Sequence, residues 1–358
     1  TENLLEQVYL SGMTNSTTPA KELTALERSW IIYPRLLMEG LGSPYTHITY
    51  SQEQRAYIIP GNHKGARKLE FELGFKIDDE DWFQPHATDL LNYEKNLDFR
   101  DGAFTRTLAF RNPDGKETKV VAHHCVSMAD KHLAAVEYGV TPLNYSGVIT
   151  VKTGLHADHI NDGVGRYAKL DQQHLTRIAE EGELKGTFFV RVQTNPSRVP
   201  GKDLKPAEIT AAARIIAELG GEKLKPLFEI ETVDRCVDMS FRQKVRQGQK
   251  LTVHKVVGLH TNRNRIGALS TLEKAHSTVA DVASFSQVLE PSAVKWAEIW
   301  DKAAVVVVGD RLGQQALNLA TYHLSVMGSE HNGGGIGPRG LSGETYRGHE
   351  FWDDILYY

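Results

Sequence analysis

Cysteine is scarce in this 358-residue chain: Cys125 and Cys236 are the only two. Two thiols cannot build a disulfide framework, and the absence of a CxxC pair or Cys/His spacing argues against a bound metal. Both are expected to stay reduced, as in a cytoplasmic protein. No run of 18 apolar residues occurs and the mean hydropathy is −0.37, so no membrane-spanning helix is expected. An excess of one charge is also missing. The 41 basic and 45 acidic side chains leave a formal charge of −4, without the basic stripe that nucleic-acid binders use to displace counterions. No basic segment followed by an apolar stretch opens the chain, which starts at Thr1 and reads as processed or cut. These absences leave a soluble globular chain of two or three domains.

What is present is period-two patterning from about residue 45 to 262. Leu69, Phe71, Leu73, Phe75 and Ile77 alternate with Glu70, Glu72 and Lys76, the pattern of a strand with one wet face. Asn112-Pro113-Asp114-Gly115 predicts a turn, because Pro fixes φ and Gly accepts positive φ. Further strands are expected over 131–140, 147–153, 187–194, 227–233 and 251–259. Many short strands punctuated by turns predict an antiparallel sandwich. One helix is expected to interrupt it, between Pro206 and Gly220-Gly221, with Ile209, Ala213, Ile216 and Leu219 at helical spacing.

After residue 265 the period turns helical. Ser270-Thr271-Leu272-Glu273 fits a capping box. Pro291 is expected to break that helix and start the next, which carries Val294, Trp296, Ile299 and Trp300. The Val305–Val308 run reads as a buried connector, and Asp310 as the cap of a third helix reaching Val326, with Leu312, Ala316, Leu319 and His323 on one stripe. One or two helices cannot bury a core of their own. The α-region is therefore expected to be completed by residues or a complementary chain outside this sequence.

Chemistry concentrates at the C-terminal end. Glycines crowd the stretch from Gly333 to Gly348, but their spacing fits neither a P-loop nor a dinucleotide fingerprint. Trp352 offers a flat apolar face for a pyranose and Asp353 can accept hydrogen bonds from two of its hydroxyls, with Arg339, Tyr346, Arg347 and His349 as neighbouring donors. The same pair could equally be a core aromatic and a helix cap. His123 and His124 are adjacent on a strand and point to opposite faces, so they cannot chelate one ion. His156, Asp158 and His159 could, although loop histidines are generally solvated.

The segment Gly340-Leu341-Ser342-Gly343-Glu344-Thr345-Tyr346-Arg347-Gly348-His349-Glu350-Phe351-Trp352-Asp353 resembles the signature of glycoside hydrolase family 65. Leu97–Gly102, Val126–Leu133 and 309–324 resemble that family in the same order, whereas the first forty residues match poorly. The resemblance implies an antiparallel β-sandwich (a supersandwich) over 1–264, a helical linker over 265–303, and the start of an incomplete (α/α)6 barrel over 304–358. It implies a phosphorylase of trehalose-, maltose- or kojibiose-type disaccharides, inverting, or a hydrolase of the same family. A non-catalytic carbohydrate-binding or structural sandwich is the alternative from another class. Carried over, Trp352 packs on the non-reducing glucose, Asp353 binds its hydroxyls, and Arg339, Tyr346 and His349 support them. The general acid, a Glu, matches no residue here. Glu344 and Glu350 are expected to cap and orient the loop. No metal or cofactor is implied beyond inorganic phosphate as co-substrate, and a homodimer or a complementary C-terminal chain is the expected partner.

Overall fold

The computed structural model describes residues 45–47, 49–51, 56–58, 74–83, 89–157, 175–194, 206–262 and 269–327. Its strands run, in chain order, β1 (Tyr45–His47), β2 (Thr49–Ser51), β3 (Ala56–Ile58), β4 (Gly74–Ile77), β5 (Asp89–Asp98), β6 (Ala103–Arg111), β7 (Glu117–Val126) and β8 (Leu133–Pro142). There follow β9 (Gly147–His156), β10 (Leu175–Leu184), β11 (Thr187–Thr194), β12 (Glu208–Leu219), β13 (Glu222–Lys223), β14 (Glu229–Val233), β15 (Cys236–Val245) and β16 (Leu251–Thr261). Three helices close the described chain: α1 (Thr271–Ala280), α2 (Ser286–Ala303) and α3 (Arg311–Met327).

The strands form a nine-stranded sheet in the order β10-β11-β12-β16-β8-β7-β6-β5, with β13 on β12. A five-stranded sheet places β9 beside β15, which carries β14 on its far edge, with β1 and β4 on the other side of β9, and β2–β3 form a separate pair. All pairings are antiparallel except β1 on β9, which is parallel. β6 shows why the sheets pack. Phe104, Arg106, Leu108 and Phe110 point inward and are buried, whereas Thr105 and Thr107 face out and are half-buried. The inner face meets Ile149, Val151, Val237, Met239 and Phe241 of the smaller sheet. Lys255 is buried there, and its Nζ donates to the Gly154 carbonyl at 2.8 Å.

The outer face of the large sheet is covered over its centre by α1 and α2. Cys125, Ala135, Ala212 and Val256 pack against Ala275, Val279, Phe285 and Val288. Covered on both sides, β16 is buried at every position, and its sequence loses alternation for that reason. Gly258 lets α1 approach: a Cβ there would stand 2.8 Å from the Ala275 carbonyl. Residues 265–303, expected as a linker, supply α1 and α2, both lying on the sheet.

Three expectations fail here. Residues 208–219 form strand β12, not a helix. Ala211, Ala212 and Ala213 have high helix propensity, but β11 and β16 flank the segment and pair along it, and its two faces fill separate cores. Gly220 and Gly221, read as a helix end, turn the chain into β13 at φ +60° and +90°. Pro291 lies inside α2, and the break falls instead at residues 281–285. In the second turn it removes one backbone bond, and buried Val288 and Ser292 on either side hold the helix to the sheet. Val305–Val308 is exposed, from 37% at Val307 to 92% at Val308. The run is an extended bridge held by Gln314, which accepts from the Val307 N–H and donates to the Val305 carbonyl.

Other expectations hold. Asn112–Gly115 closes β6 to β7, with Gly115 at φ +78°. The Ser270/Glu273 capping box is present in both directions, and Asp310 accepts from the Gly313 N–H at 2.9 Å. Of the stripe on α3, Ala316 is exposed; Tyr322 and Val326 carry the buried face. Among the described residues, no helix is long and apolar enough to cross a membrane.

A stacked histidine pair fastens α1 to the sheet. The rings of His132 and His260 lie 3.9 Å apart at 14°, with His260 Nε2 bonded to Thr278 Oγ1 at 2.8 Å. Burial first, then His132, Lys274 and Lys131, push His260 from its ordinary 6.5 to about 3. A group whose folded value is depressed leaves the unfolded chain binding more protons, so its stability is present above 6.5 and lost as pH falls below it. We expect the thermal midpoint to drop as pH is lowered from about 6.5 to 4.5, and to drop less in His260→Gln. A midpoint that stays flat or rises on acidification, or an unchanged slope in the variant, contradicts this role.

Candidate functional site

The residues that the sequence singles out for sugar binding (Trp352, Asp353, Tyr346, His349 and Arg339), together with Glu344, Glu350 and Arg347, lie outside the described residues. So do Asp158 and His159. His156 is placed on the outer face of the smaller sheet, where its Nε2 meets Asp238 Oδ1 at 2.5 Å and Lys152 approaches Asp238 at 3.2 Å. That arrangement holds the Asp238 carboxyl below its ordinary range against the cost of burial. It is an ion-pair cluster between β9 and β15. Among the described residues, no group of three His, Cys, Asp or Glu side chains is placed to hold a metal.

The structure does assemble a cleft at the β5 edge of the large sheet. It begins with the turn between β5 and β6. Asp98 accepts from the Arg100 backbone and guanidinium, which lower its carboxyl from the ordinary value. Asp101 Oδ1 accepts from the Ala103 N–H at 2.8 Å. Gly102 adopts φ +69° and lies so close to Trp296 that any Cβ would enter the indole. Trp300 Nε1 donates to the Phe99 carbonyl at 2.5 Å. The turn is thus clamped by α2, and Trp296, 1% exposed, stacks in turn on Tyr322 of α3 at 4.9 Å.

From this fixed turn, β5 and β6 run out, and no described element lies over their outer faces. Glu94 pairs across the strands with Thr107, Asn96 with Thr105, and Asp98 with Ala103. Together with Asp101 and His123 they form one wall of a cleft of about 300 Å³, and Phe285 and Leu289 of the α2 entrance form the other. His123 Nδ1 bonds Thr105 Oγ1 at 2.9 Å. Burial lowers its pKa, the Glu137 charge opposes that, and His124 and Lys250 add to it. The neutral imidazole is therefore the form present near pH 7. Cys125, on the same face, is pushed up to about 12 by burial and is no nucleophile. Sequence reading named His123 but not Glu94, Asn96, Thr105 or Thr107. Their signal is a polar outer row along β5 and β6.

The comparisons first give the class. A solved structure from the human microbiome, described as a candidate kojibiose phosphorylase, superposes with a TM-score of 0.67 at 16% identity, over 90% of this chain and 39% of that one. At that identity the likeness shows a shared fold. Residues 71–299 then match the model described as glycosyl hydrolase family 65, N-terminal domain, and the chain belongs to that family. Kojibiose phosphorylase of Halothermothrix orenii is 26% identical over 294 residues, covering 80% of this chain and 36% of that protein. An uncharacterized glycosyl hydrolase of Mycobacterium tuberculosis is 28% identical over 287 residues, covering 79% and 21%. Alpha,alpha-trehalose phosphorylase of Thermoanaerobacter brockii is 23% identical over 278 residues, covering 75% and 34%. The chain spans well under half the length of each of these relatives.

The imidazole of the cleft supplies a direct check on its electrostatics. Ring titration by NMR should place the His123 midpoint below 6.5, and Glu137→Gln should move it lower still, because a charge that favours imidazolium is removed. A midpoint above 6.5, or an upward move in the variant, would be incompatible with the geometry.

Proposed function

We propose that this chain is the N-terminal portion of an inverting phosphorylase of α-linked glucose disaccharides, with kojibiose the first substrate to test. The family match over residues 71–299 carries the reading, and kojibiose phosphorylases of Halothermothrix orenii and Escherichia coli among the relatives support the substrate class. On this reading residues 1–264 are the sandwich, 265–303 connect it to the catalytic region, and 304–358, beginning with α3, open an (α/α)6 barrel. Trp352 packs on the non-reducing glucose, Asp353 accepts hydrogen bonds from its hydroxyls, and Arg339, Tyr346 and His349 hold that pair in place.

The chemistry is a single displacement. A carboxylic acid protonates the glycosidic oxygen while a phosphate oxygen attacks the anomeric carbon from the opposite face. The carbon–oxygen bond to the leaving sugar breaks, and β-glucose 1-phosphate forms. No residue of this chain matches the acid, a contribution commonly worth about 10²–10⁴-fold. The working enzyme needs phosphate as co-substrate and no further cofactor, and its assembly is a homodimer or a pairing with a complementary chain. A hydrolase of the same family is the second reading, favoured by the Mycobacterium relatives that are described as glycosyl hydrolases.

Assay of the full-length protein decides between them. Cleavage of kojibiose should require inorganic phosphate and release β-glucose 1-phosphate, and Asp353→Asn should lower kcat/KM on the order of 10²-fold or more. The 358-residue chain by itself should turn over neither kojibiose nor trehalose. Cleavage independent of phosphate selects the hydrolase, and turnover by the isolated chain contradicts the assignment of the acid.

A further inference from the structure

We propose that the cleft between the β5–β6 face and the entrance of α2 binds one neutral sugar ring of a saccharide. The inference uses described residues alone and does not rest on the proposed activity. Over its centre, the outer face of the large sheet is covered by α1 and α2, and its polar side chains there are used up: Thr210 bonds Thr271, Arg214 the Ala280 carbonyl and His260 Thr278. At the β5 edge the same face presents Glu94, Asn96, Thr105 and Thr107, with an aromatic and an aliphatic side chain opposite. Phe285 and Leu289 belong to the core that seats α2 on the sheet, and they also border the cleft opposite the polar row. A sugar ring matches both walls, because its C–H face is apolar while its hydroxyls are polar.

The lining chooses among ligand classes. Among the described residues, no Lys or Arg side chain lines the cleft, which disfavours phosphate or a sugar phosphate. Asp98 is engaged by Arg100 and Asp101 by the backbone of Ala103, so their carboxylates do not converge as a divalent cation requires. What remains is a dispersed set of neutral and singly charged groups. Glu94 with Thr107 and Asn96 with Thr105 form two cross-strand pairs. Opposed side chains of such pairs stand about 5 Å apart, a spacing suited to hydroxyls around a pyranose. His123, neutral and tied by Nδ1 to Thr105, closes the end. The volume of about 300 Å³ is at the small end for a ligand site and suits one ring.

The test is an NMR titration of the labelled 358-residue chain with methyl α-D-glucopyranoside and with kojibiose. Saturable shifts of the Asn96, Thr105, Thr107 and His123 amides are expected. Asn96→Ala and Glu94→Gln, both at exposed positions, should each raise Kd about fivefold or more through loss of a hydrogen bond. Glu229→Gln on β14 should leave it unchanged. Shifts confined to residues 328–358, no shifts at the four amides, or wild-type affinity in both cleft variants would overturn the proposal. So would shifts of those amides by calcium chloride with none from either sugar.

Discussion

The seating of Trp296 against Gly102 is the contact on which the arrangement of the site depends. An indole of that size removes on the order of 150–250 Å² from water, and here it does so on a backbone that only glycine can present. Three elements meet at it. The β5–β6 turn is pressed from one side, Tyr322 of α3 stacks from another, and α2 carries the ring itself. Trp300 adds a hydrogen bond to the same turn. With the turn fixed, the polar rows of β5 and β6 are held at a set distance from Phe285 and Leu289, and a cleft results.

The large sheet illustrates how one covering layer divides a surface into structural and accessible parts. Where α1 and α2 lie on it, small and aliphatic residues pack against them, Thr210, Arg214 and His260 bond α1, and Gly258 lets that helix approach. Where no described element lies over it, the outer residues are Glu94, Asn96, Thr105 and Thr107. The inner face carries the main core from β6 to β12, with Arg106 and Lys255 as buried basic side chains within it. His123 and His260 follow the same logic: each sits where a helix meets the sheet, and burial lowers both imidazoles below their ordinary value.

Much of this was legible in the residues, and the failures have physical causes. Strands with one wet face announce themselves by alternation, as Phe75 and Ile77 of β4 do where the expected run over 69–77 is described, and turn chemistry marks Asn112–Gly115. The capping box at Ser270 and the cap at Asp310 are local devices and could be read locally. β12 could not, because its Ala-rich run is set by two flanking strands and two covered faces rather than by propensity. Pro291 misled because tertiary packing on β7 and β8 holds a helix through it. The Val305–Val308 run misleads because apolar composition does not by itself bring burial, and no described element covers it. For the site, the candidate sugar-binding residues at 339–353 lie outside the described residues, and the cleft was not legible, since it needs β5, β6 and α2 brought together across almost 200 residues of sequence.

Hydrogen exchange combined with urea unfolding of Trp296→Ala tests the central contact most directly. The account predicts a loss of about 3–5 kcal/mol, with faster exchange at the β5–β6 turn and in α3 while β8 and β16 keep their protection. A loss under about 1 kcal/mol, or new exchange confined to α2, would contradict it.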